Sequence, residues 1–263
     1  MRIATDAIDA IVLAGGMHQG TEPDGVAPGY KALTPFGNRL SIQYVLDALR
    51  QTPGIRRIAV IGPEEALRPA LAEQHDTAEI LPDNTTLLQN IYRGLRHFSD
   101  ASMVLMTTAD LPLLNPKAIT DFLAGCAATE ATFAENMYFS VVPASSFTGD
   151  YAGRQRAVSR FKDIAISYGN LFLVDPRLLH NTHATRRMDA LYSTRISAMS
   201  TAFAAGLTVG LSYVLGVHMW HLLGLSHMAA IASRRFGIGL IPVVVNHPEI
   251  TLTVDSSADY DFA

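Results

Sequence analysis

A short apolar run ends in two glycines near the start of the chain: Asp9-Ala10-Ile11-Val12-Leu13-Ala14-Gly15-Gly16. Such a run is typical of a buried strand that leads into a loop. The next residues, 17–30, contain several glycines and prolines and no apolar periodicity, so we expect a long loop there. Glycines directly after a strand allow backbone N–H groups to approach a phosphate closely, because no Cβ intervenes.

Further apolar runs alternate with segments of helical periodicity. Residues 58–62 and 103–106 are predicted to form strands, and helices are predicted around residues 42–49, 88–98 and 116–126. Strands that alternate with helices predict βαβ units and a three-layer α/β/α sandwich with a mostly parallel sheet. Ligands bind at the carboxyl ends of the strands in such sheets. The loops after Ala14 and Met106 should therefore lie on the same edge.

The second half of the chain is less regular. Four further strands are predicted, at residues 140–142, 171–174, 240–245 and 250–254, and the last leads into Asp255. A basic stretch separates the first two of these strands. No internal repeat or linker divides the sequence, so we expect one domain over residues 1–263.

Composition excludes several classes of protein. The 263 residues carry a formal net charge of −4, whereas a nucleic-acid binder needs a basic excess to neutralise phosphates. Cys126 is the one cysteine, which excludes a disulfide framework and a cysteine zinc site. Acidic residues precede the first apolar run, so no signal peptide is predicted and a cytoplasmic location is expected.

The segment 196–233 contains no Asp, Glu, Lys or Arg. A pair of buried or interfacial helices, a hairpin on a membrane surface and a membrane span are the three interpretations, in decreasing order of preference. Helices buried on one side normally carry charges on the other. We therefore predict helices that pack on the acceptor side, with their apolar face covered by the protein body, a second subunit, a lipid or an apolar substrate.

Three charged residues are placed for phosphate chemistry. Lys31 follows the glycine loop, where a lysine can neutralise a triphosphate. Asp110 ends a predicted central strand, which is a typical position for a Mg²⁺ ligand, and Asp255 can complete the site because Mg²⁺ takes one or two carboxylates. Each residue also has a simpler interpretation, as a solvated lysine, a turn residue and a helix cap. Their order and their fit to strand ends favour a site.

These motifs resemble the MobA-like nucleotidyltransferases of the GT-A fold. The resemblance is carried by Ile11 to Gly16, by Lys31-Ala32-Leu33 with the helix at 44–49, by Thr108-Ala109-Asp110-Leu111-Pro112, by the strand at 169–172 and by the closing segment 254–260. It implies transfer of a nucleotidyl group from a nucleoside triphosphate to a phosphorylated small-molecule acceptor, with release of pyrophosphate. It also implies a nucleotide-binding half, 1–114, and an acceptor half, 115–263.

The resemblance implies roles for individual residues. Lys31 and Asp110 would be catalytic, and Mg²⁺ (or Mn²⁺) would bind Asp110 and Asp255. The nucleotide would contact the following set: Leu13, Ala14, Gly15, Gly16, Lys31, Asn84, Thr85, Asn90 and Asp110. The acceptor is expected at Arg156, Arg160, Lys162 and Asn170, although Arg154 to Lys162 also fits a solvated basic stretch. Further expected partners are a membrane surface or lipid-like acceptor and a second copy of the chain.

The glycine loop departs from the pattern of the family. Many relatives carry an arginine there, whereas residues 17–30 are longer and contain Glu22 and Asp24 but no basic residue except His18. His18 is either a substitute for that arginine or a solvent-facing loop residue. Two alternatives follow: a GT-A glycosyltransferase that uses a nucleotide sugar, and a non-catalytic descendant that binds a nucleotide or a partner. The missing Asp-x-Asp motif counts against the first, and the missing arginine favours the second.

Overall fold

A computed structural model of the chain describes residues 7–18, 29–72, 78–84, 86–131, 133–155, 157–193, 223–255 and 257–263. Two of the predicted site residues, Thr85 and Arg156, lie outside these ranges, as does most of the uncharged segment 196–233.

Ten strands and seven α-helices are formed by the described residues, together with short 3-10 helices. The strands are β1 (Ile8–Leu13), β2 (Pro35–Phe36), β3 (Arg39–Leu40), β4 (Ile55–Gly62), β5 (Glu79–Pro82), β6 (Val104–Thr108), β7 (Asn136–Pro143), β8 (Ser159–Arg160), β9 (Ala165–Val174) and β10 (Gly239–Val244). The α-helices are α1 (Ser41–Arg50), α2 (Glu64–Ala72), α3 (Leu87–His97), α4 (Pro116–Ala128), α5 (Thr182–Ser193), α6 (Leu225–Phe236) and α7 (Ser257–Tyr260).

The main sheet has the strand order β10-β7-β9-β6-β1-β4-β5, and β8 pairs with β9. The pairs of β1 with β4, β1 with β6, β4 with β5 and β10 with β7 are parallel. Strand β9 runs antiparallel to β6, β7 and β8. The predicted mostly parallel sheet is therefore confirmed, with one reversed strand that brings a later part of the chain back to the central edge.

Helices cover both faces of the sheet. Alternate residues of β1 belong to different hydrophobic clusters: Ile8, Ala10 and Val12 pack with α1, α2 and α4, while Ile11 and Leu13 pack with α3, α5 and α6. A strand covered on both faces is mostly apolar, which explains the apolar run from Ala10 to Leu13. The buried exception, Asp9, is paired with two arginines. The sheet with helices on both of its faces forms the three-layer arrangement.

The three predicted helices begin within one residue of the predicted positions, whereas several strands begin earlier than predicted. The Asn115 side chain accepts a hydrogen bond from the N–H of Ala118, 2.9 Å away, and Pro116 opens α4 as expected from the sequence. The Thr86 side chain caps α3 in the same way, at 3.2 Å from the N–H of Gln89. These caps set where the helices begin beside the sheet edge.

The strand predicted at 250–254 is wrong. Residues Pro248–Thr251 form a 3-10 helix, and residues 252–255 continue without regular structure. Pro248 has no backbone N–H, and the Thr251 hydroxyl donates to its carbonyl at 2.8 Å, which favours a tight turn over a ladder. Ile250, Leu252 and Val254 are buried, so the apolar alternation records burial rather than a strand.

The described end of the uncharged segment forms part of α6. The Asp163 side chain accepts a hydrogen bond from the N–H of Leu225 at 3.0 Å, and Leu225, Met228 and Phe236 are buried against the sheet. The prediction for residues 196–222 lies outside the described residues and stays a prediction. No helix in the described parts of the chain has the length and apolar character needed to cross a membrane.

Candidate functional site

The loops after β1 and β6 meet at the carboxyl edge of the sheet, as predicted. Leu13 and Thr108 are register partners, and the N–H of Ala109 donates to the carbonyl of Leu13 at 3.0 Å. On the other side, the N–H of Ala14 donates to the carbonyl of Ile61 at 2.7 Å. Both loops are thereby fixed to rigid strands, and Gly15 and Gly16 leave the sheet at its centre.

The glycine loop is closed by a short antiparallel pairing. Met17 forms a bridge with Tyr30, the N–H of Lys31 donates to the carbonyl of Gly16 at 2.9 Å, and the N–H of His18 donates to that of Gly29 at 3.0 Å. The pairing returns the chain to its starting point. Lys31 is therefore placed directly beside the glycines from which it is distant in sequence.

Lys31, Asp110 and Asp255 are brought together. The Lys31 ammonium forms an ion pair with Asp255 Oδ1, and both charges act on Asp110. The N–H of Val254 donates to the carbonyl of Asp110 at 3.2 Å, which places the next residue, Asp255, beside the β6 loop. The Thr253 hydroxyl holds the other oxygen of Asp255 at 2.8 Å.

One carboxylate oxygen of Asp110 is shielded from solvent. This atom, Oδ1, is buried, and no described residue hydrogen-bonds to it. Burial raises the pKa of Asp110, while the nearby Thr108 hydroxyl and the Lys31 ammonium oppose that rise. The Thr108 hydroxyl affects the pKa of Asp110, but it does not form a hydrogen bond with the carboxylate. A buried carboxylate oxygen without a donor is suited to a cation.

The residues present fit a divalent cation that keeps most of its other ligands. Asp110 and Asp255 offer two carboxylates, and Mg²⁺ is usually held by one or two of them together with substrate phosphates and water. Within the part of the chain that the structure describes, no group of three or more His, Cys, Asp or Glu residues forms a complete metal cage. The two carboxylates therefore suit a cation that also takes a phosphate group as a ligand.

The loop between β5 and α3 lies against the glycine loop. A Cβ on Gly15 would lie 3.2 Å from Asp83 Oδ2 and 3.7 Å from Asn90 Nδ2. Asn90 is buried on α3, and its Oδ1 accepts a hydrogen bond from the N–H of Asn84 at 2.6 Å. Asn84 and Asn90 are thus at the same edge as Gly15, as the sequence predicts.

Arg93 and Asp83 are two residues of this region that the sequence analysis missed. Arg93 Nη2 donates to Asn84 Oδ1 at 3.0 Å, and its Nε is buried without a partner among the described residues. Arg93 lies three positions after Asn90 on α3, so the two share a helix face. The three-residue spacing between Asn90 and Arg93 was the sequence signal from which Arg93 could have been predicted. Arg93 brings a positive charge to an edge whose glycine loop lacks one.

The predicted acceptor residues are divided by the structure. Asn170 lies on β9 next to the end of β6 and donates to the carbonyl of Ile250 at 3.0 Å. Arg160 is on β8, which pairs with the start of β9 at Ala165, and is therefore further from the centre of the edge. Arg160 and Lys162 are exposed. Of the described members, Asn170 is therefore the one that lies beside the end of β6.

His18 is buried, so the expectation of a solvent-facing loop residue is wrong. Its side chain is 7% exposed, with Nε2 at 2.8 Å from the Thr34 hydroxyl and Nδ1 without a partner among the described residues. His18 directly follows the bridge of Met17 with Tyr30, and its imidazole packs inward against Thr34, in the segment that follows the loop.

Comparisons with known proteins give one family and one fold. The model of a MobA-like NTP transferase domain matches residues 10–145. The chain is similar to a solved structure described as a hypothetical transferase from Thermus thermophilus, with 29% identity, 97% of this chain and 99% of that one covered, and a TM-score of 0.77.

Two more distant structures share the fold. A nucleotidyl transferase from Methanothermobacter thermautotroptrophicus has 14% identity, a TM-score of 0.53, and coverage of 97% of this chain and 94% of its own. A CMP:2-keto-3-deoxy-manno-octonic acid synthetase solved with CTP has 13% identity, a TM-score of 0.56, and coverage of 97% and 95%. A search of curated proteins finds no match.

Proposed function

The chain belongs to the MobA-like NTP transferase family, and we propose that it transfers a nucleoside monophosphate from a nucleoside triphosphate to a phosphorylated small-molecule acceptor. The observation that carries the proposal is the grouping of Lys31, Asp110 and Asp255 beside the glycines that follow β1. The family match covers the glycine loop, Lys31 and Asp110, and it ends before Asp255.

The nucleotide is proposed to lie over the carboxyl edge, with its phosphates on the glycine loop. Backbone N–H groups at Gly15 and Gly16 face no Cβ there, so they are accessible to phosphate oxygens. Lys31 supplies a positive charge at the other end of the same loop. Asn84 and Asn90 are proposed to contact the base or the ribose, because Asn90 adjoins Gly15 and Asn84 is hydrogen-bonded to both Asn90 and Arg93.

Asp110 and Asp255 are proposed to hold a divalent cation, Mg²⁺ or Mn²⁺. When bound, it would neutralise charge on the triphosphate and on the leaving pyrophosphate. The chain's own contribution is geometric. The hydrogen bond between Val254 and Asp110 and that between Thr253 and Asp255 keep the two carboxylates at a fixed separation. Lys31 releases Asp255 and turns to the phosphates when these arrive.

The reaction balances without a covalent enzyme intermediate. An ionised oxygen of the acceptor phosphate forms a bond to the α-phosphorus, and the bond between that phosphorus and the α,β-bridging oxygen breaks. Pyrophosphate leaves with the electron pair. Since the attacking phosphate is already ionised, no general base is required, and positioning and charge neutralisation provide the rate. Asn170, at the same edge, is proposed to contact the acceptor.

The test is pyrophosphate release from purified protein. Each of the four ribonucleoside triphosphates is incubated with Mg²⁺ and a panel of phosphate monoesters, and Asp110→Asn serves as the inactive control. We expect one triphosphate to be consumed only when an acceptor and Mg²⁺ are both present. Turnover of a nucleotide sugar in place of a triphosphate, or nucleotide binding without any turnover across the panel, would contradict the proposal.

A further inference from the structure

A cavity of about 430 Å³ lies between the sheet and the layer formed by α3, α5 and α6. Its wall combines side chains from the strands, such as Leu13, Met106 and Phe172, with Ile91 and Met188 from the helices. The volume is within the range of about 300–1,000 Å³ that is common for small-molecule sites. The cavity is large enough for roughly a dozen non-hydrogen atoms, if each takes about the volume of a water molecule, roughly 30 Å³.

One end of the cavity adjoins the proposed reaction centre. Leu13 is followed directly by Ala14 and the glycine loop, and Thr108 is two residues before Asp110. Thr108 and Asn170 supply polar side chains at this end. A molecule that fills the cavity can therefore present a polar head group to Asp110 while its body extends away under α3.

The remainder of the wall is apolar apart from Thr107 and the hydroxyls of two tyrosines. No charged side chain lines the cavity among the residues that the structure describes. The tyrosine hydroxyls of the wall already have partners: that of Tyr92 points to the carbonyl of Thr185 at 3.4 Å, and that of Tyr192 accepts from the N–H of Leu87 at 3.3 Å. Most hydroxyls of a sugar would lack partners here, and each buried unpaired hydroxyl is costly. A hydrocarbon body has no such cost and gains from burial.

We infer that the acceptor is a phosphate monoester of an apolar chain, and that the cavity binds its hydrocarbon body. The inference rests on the proposed function and names the acceptor class for that site. The phosphate head lies beside Thr108 and Asn170, with an ionised oxygen available for attack on the α-phosphorus. Alkyl and short isoprenoid phosphates have this chemistry, whereas sugar phosphates do not.

Calorimetric titration of the purified chain with n-alkyl phosphates from two to ten carbons tests binding independently of turnover. Affinity should rise about three- to fourfold for each added methylene, from about 0.8 kcal/mol per buried CH₂, until the cavity is full. Glycerol phosphate and glucose phosphate should bind weakly. Affinity that does not change with chain length would overturn the inference and would indicate that the cavity is filled by the chain itself.

Variants locate the effect in the cavity. Met188→Phe and Ile91→Phe add volume to the wall, so they should lower the affinity for octyl phosphate at least tenfold and leave ethyl phosphate within twofold. Leu179→Phe is the matched control, because Leu179 is a partly buried leucine of the 3-10 helix Pro176–His180 that packs against the same hydrophobic cluster and does not line the cavity. Equal effects of all three variants, or no effect of any, would contradict the assignment.

The same reagents separate this inference from the proposed function. Chain-length-dependent binding that the cavity variants abolish, without pyrophosphate release from any triphosphate, would leave the apolar ligand site standing and refute nucleotidyl transfer. Pyrophosphate release that is as fast with sugar phosphates as with alkyl phosphates would support nucleotidyl transfer and refute the apolar acceptor. We expect release to increase with chain length in parallel with affinity.

Discussion

The imidazole Nε2 of His18 lies 2.8 Å from the hydroxyl oxygen of Thr34, and this contact links the glycine loop to the segment that follows it. The carbonyl of Thr34 accepts from the N–H of Ser41 at 2.9 Å, and the Ser41 hydroxyl donates to the carbonyl of Ala109 at 2.8 Å. A continuous set of buried hydrogen bonds therefore joins the loop that would cradle phosphate to the residue before Asp110.

Thr34→Val tests whether this set positions the site. The valine keeps the shape of the side chain but leaves His18 with no partner at either ring nitrogen among the described residues. An unsatisfied buried group costs about 1–3 kcal/mol, so thermal unfolding should shift downward. The turnover number should fall about tenfold with a smaller change in KM for the triphosphate. Thr34→Ser restores the hydroxyl and should restore turnover. Equal turnover in the valine and serine variants would assign the pair to stability alone.

Asp110→Asn should abolish turnover without weakening the fold. Burial raises the pKa of the Asp110 carboxyl, which means that the charged form is disfavoured where it stands. A neutral amide of the same size relieves that penalty, so the melting temperature should stay equal or rise. Binding of Mn²⁺ in the presence of a nucleoside triphosphate, measured by electron paramagnetic resonance, should weaken at least tenfold. Unchanged Mn²⁺ binding would remove Asp110 from the cation site.

Lys31→Ala should slow the chemical step and not only weaken binding. A preorganised charge at developing negative charge is worth about 2–4 kcal/mol, which corresponds to roughly 30- to 1,000-fold in turnover. Asp255 loses its ion-pair partner in this variant. Lys117→Ala is the matched control, because Lys117 is an exposed lysine on α4 that pairs with Asp121. Loss of turnover in both variants, or in neither, would contradict a role for Lys31 at the phosphates.

The central part of the fold could be predicted because its signals are local. The apolar run before Gly15 and the block that ends in Asp110 mark strand ends, and parallel pairing then places both at one edge. The resemblance drawn from these motifs is confirmed by the family match over residues 10–145. The sequence also predicts Asp255 at this edge, where the structure has it, although residues 250–254 do not form the strand that the prediction assumed.

Other features depend on tertiary contacts that no local pattern records. His18 reads as a loop histidine, whereas in the structure its imidazole packs inward against Thr34. The spacing of Arg93 from Asn90 shows that the two share a face of α3, but the contact of Arg93 with Asn84 follows from how the chain folds before α3. In the sequence, apolar Ile250, Leu252 and Val254 alternate with polar residues as they would in a strand, whereas all four residues of the 3-10 helix at Pro248–Thr251 are buried, so the alternation did not distinguish the two.

Arg93→Met tests whether the arginine that the sequence analysis missed serves the nucleotide site. The change removes the hydrogen bond to Asn84 and the positive charge while keeping an apolar stem on α3. A hydrogen bond from a charged group is worth about 1.5–3 kcal/mol, so triphosphate affinity should fall about tenfold or more. Arg96→Met is the control on the same helix, where the guanidinium lies 6.0 Å from the centre of the Tyr92 ring. Calorimetric titration of both variants with the triphosphate measures this loss, and equal affinities would exclude Arg93 from the nucleotide site.

Asp9 lies near the start of β1, at the edge of the sheet opposite to the proposed site, and its contacts predict an effect on stability rather than on activity. Its side chain is fully buried on β1 and accepts hydrogen bonds from Arg56 at 3.1 Å and from Arg57 at 3.0 Å. Burial alone raises the pKa of Asp9, but the hydrogen bonds from Arg57 and Arg56 outweigh it and lower the pKa from 3.8 to about 2.

Asp9→Asn should therefore destabilise the fold by about 2 kcal/mol at pH 7, without changing nucleotide binding at the far edge. Because the folded-state pKa lies below the unfolded value, this stabilisation is complete above about pH 4 and is lost as the pH falls toward 2. Urea unfolding of both proteins between pH 7 and 3 should show a difference in free energy that narrows with acid. Asp100→Asn, which removes an exposed partner of Arg57, should have a much smaller effect. A difference that stays constant down to pH 3 would show that the Asp9 carboxylate does not titrate as its contacts require.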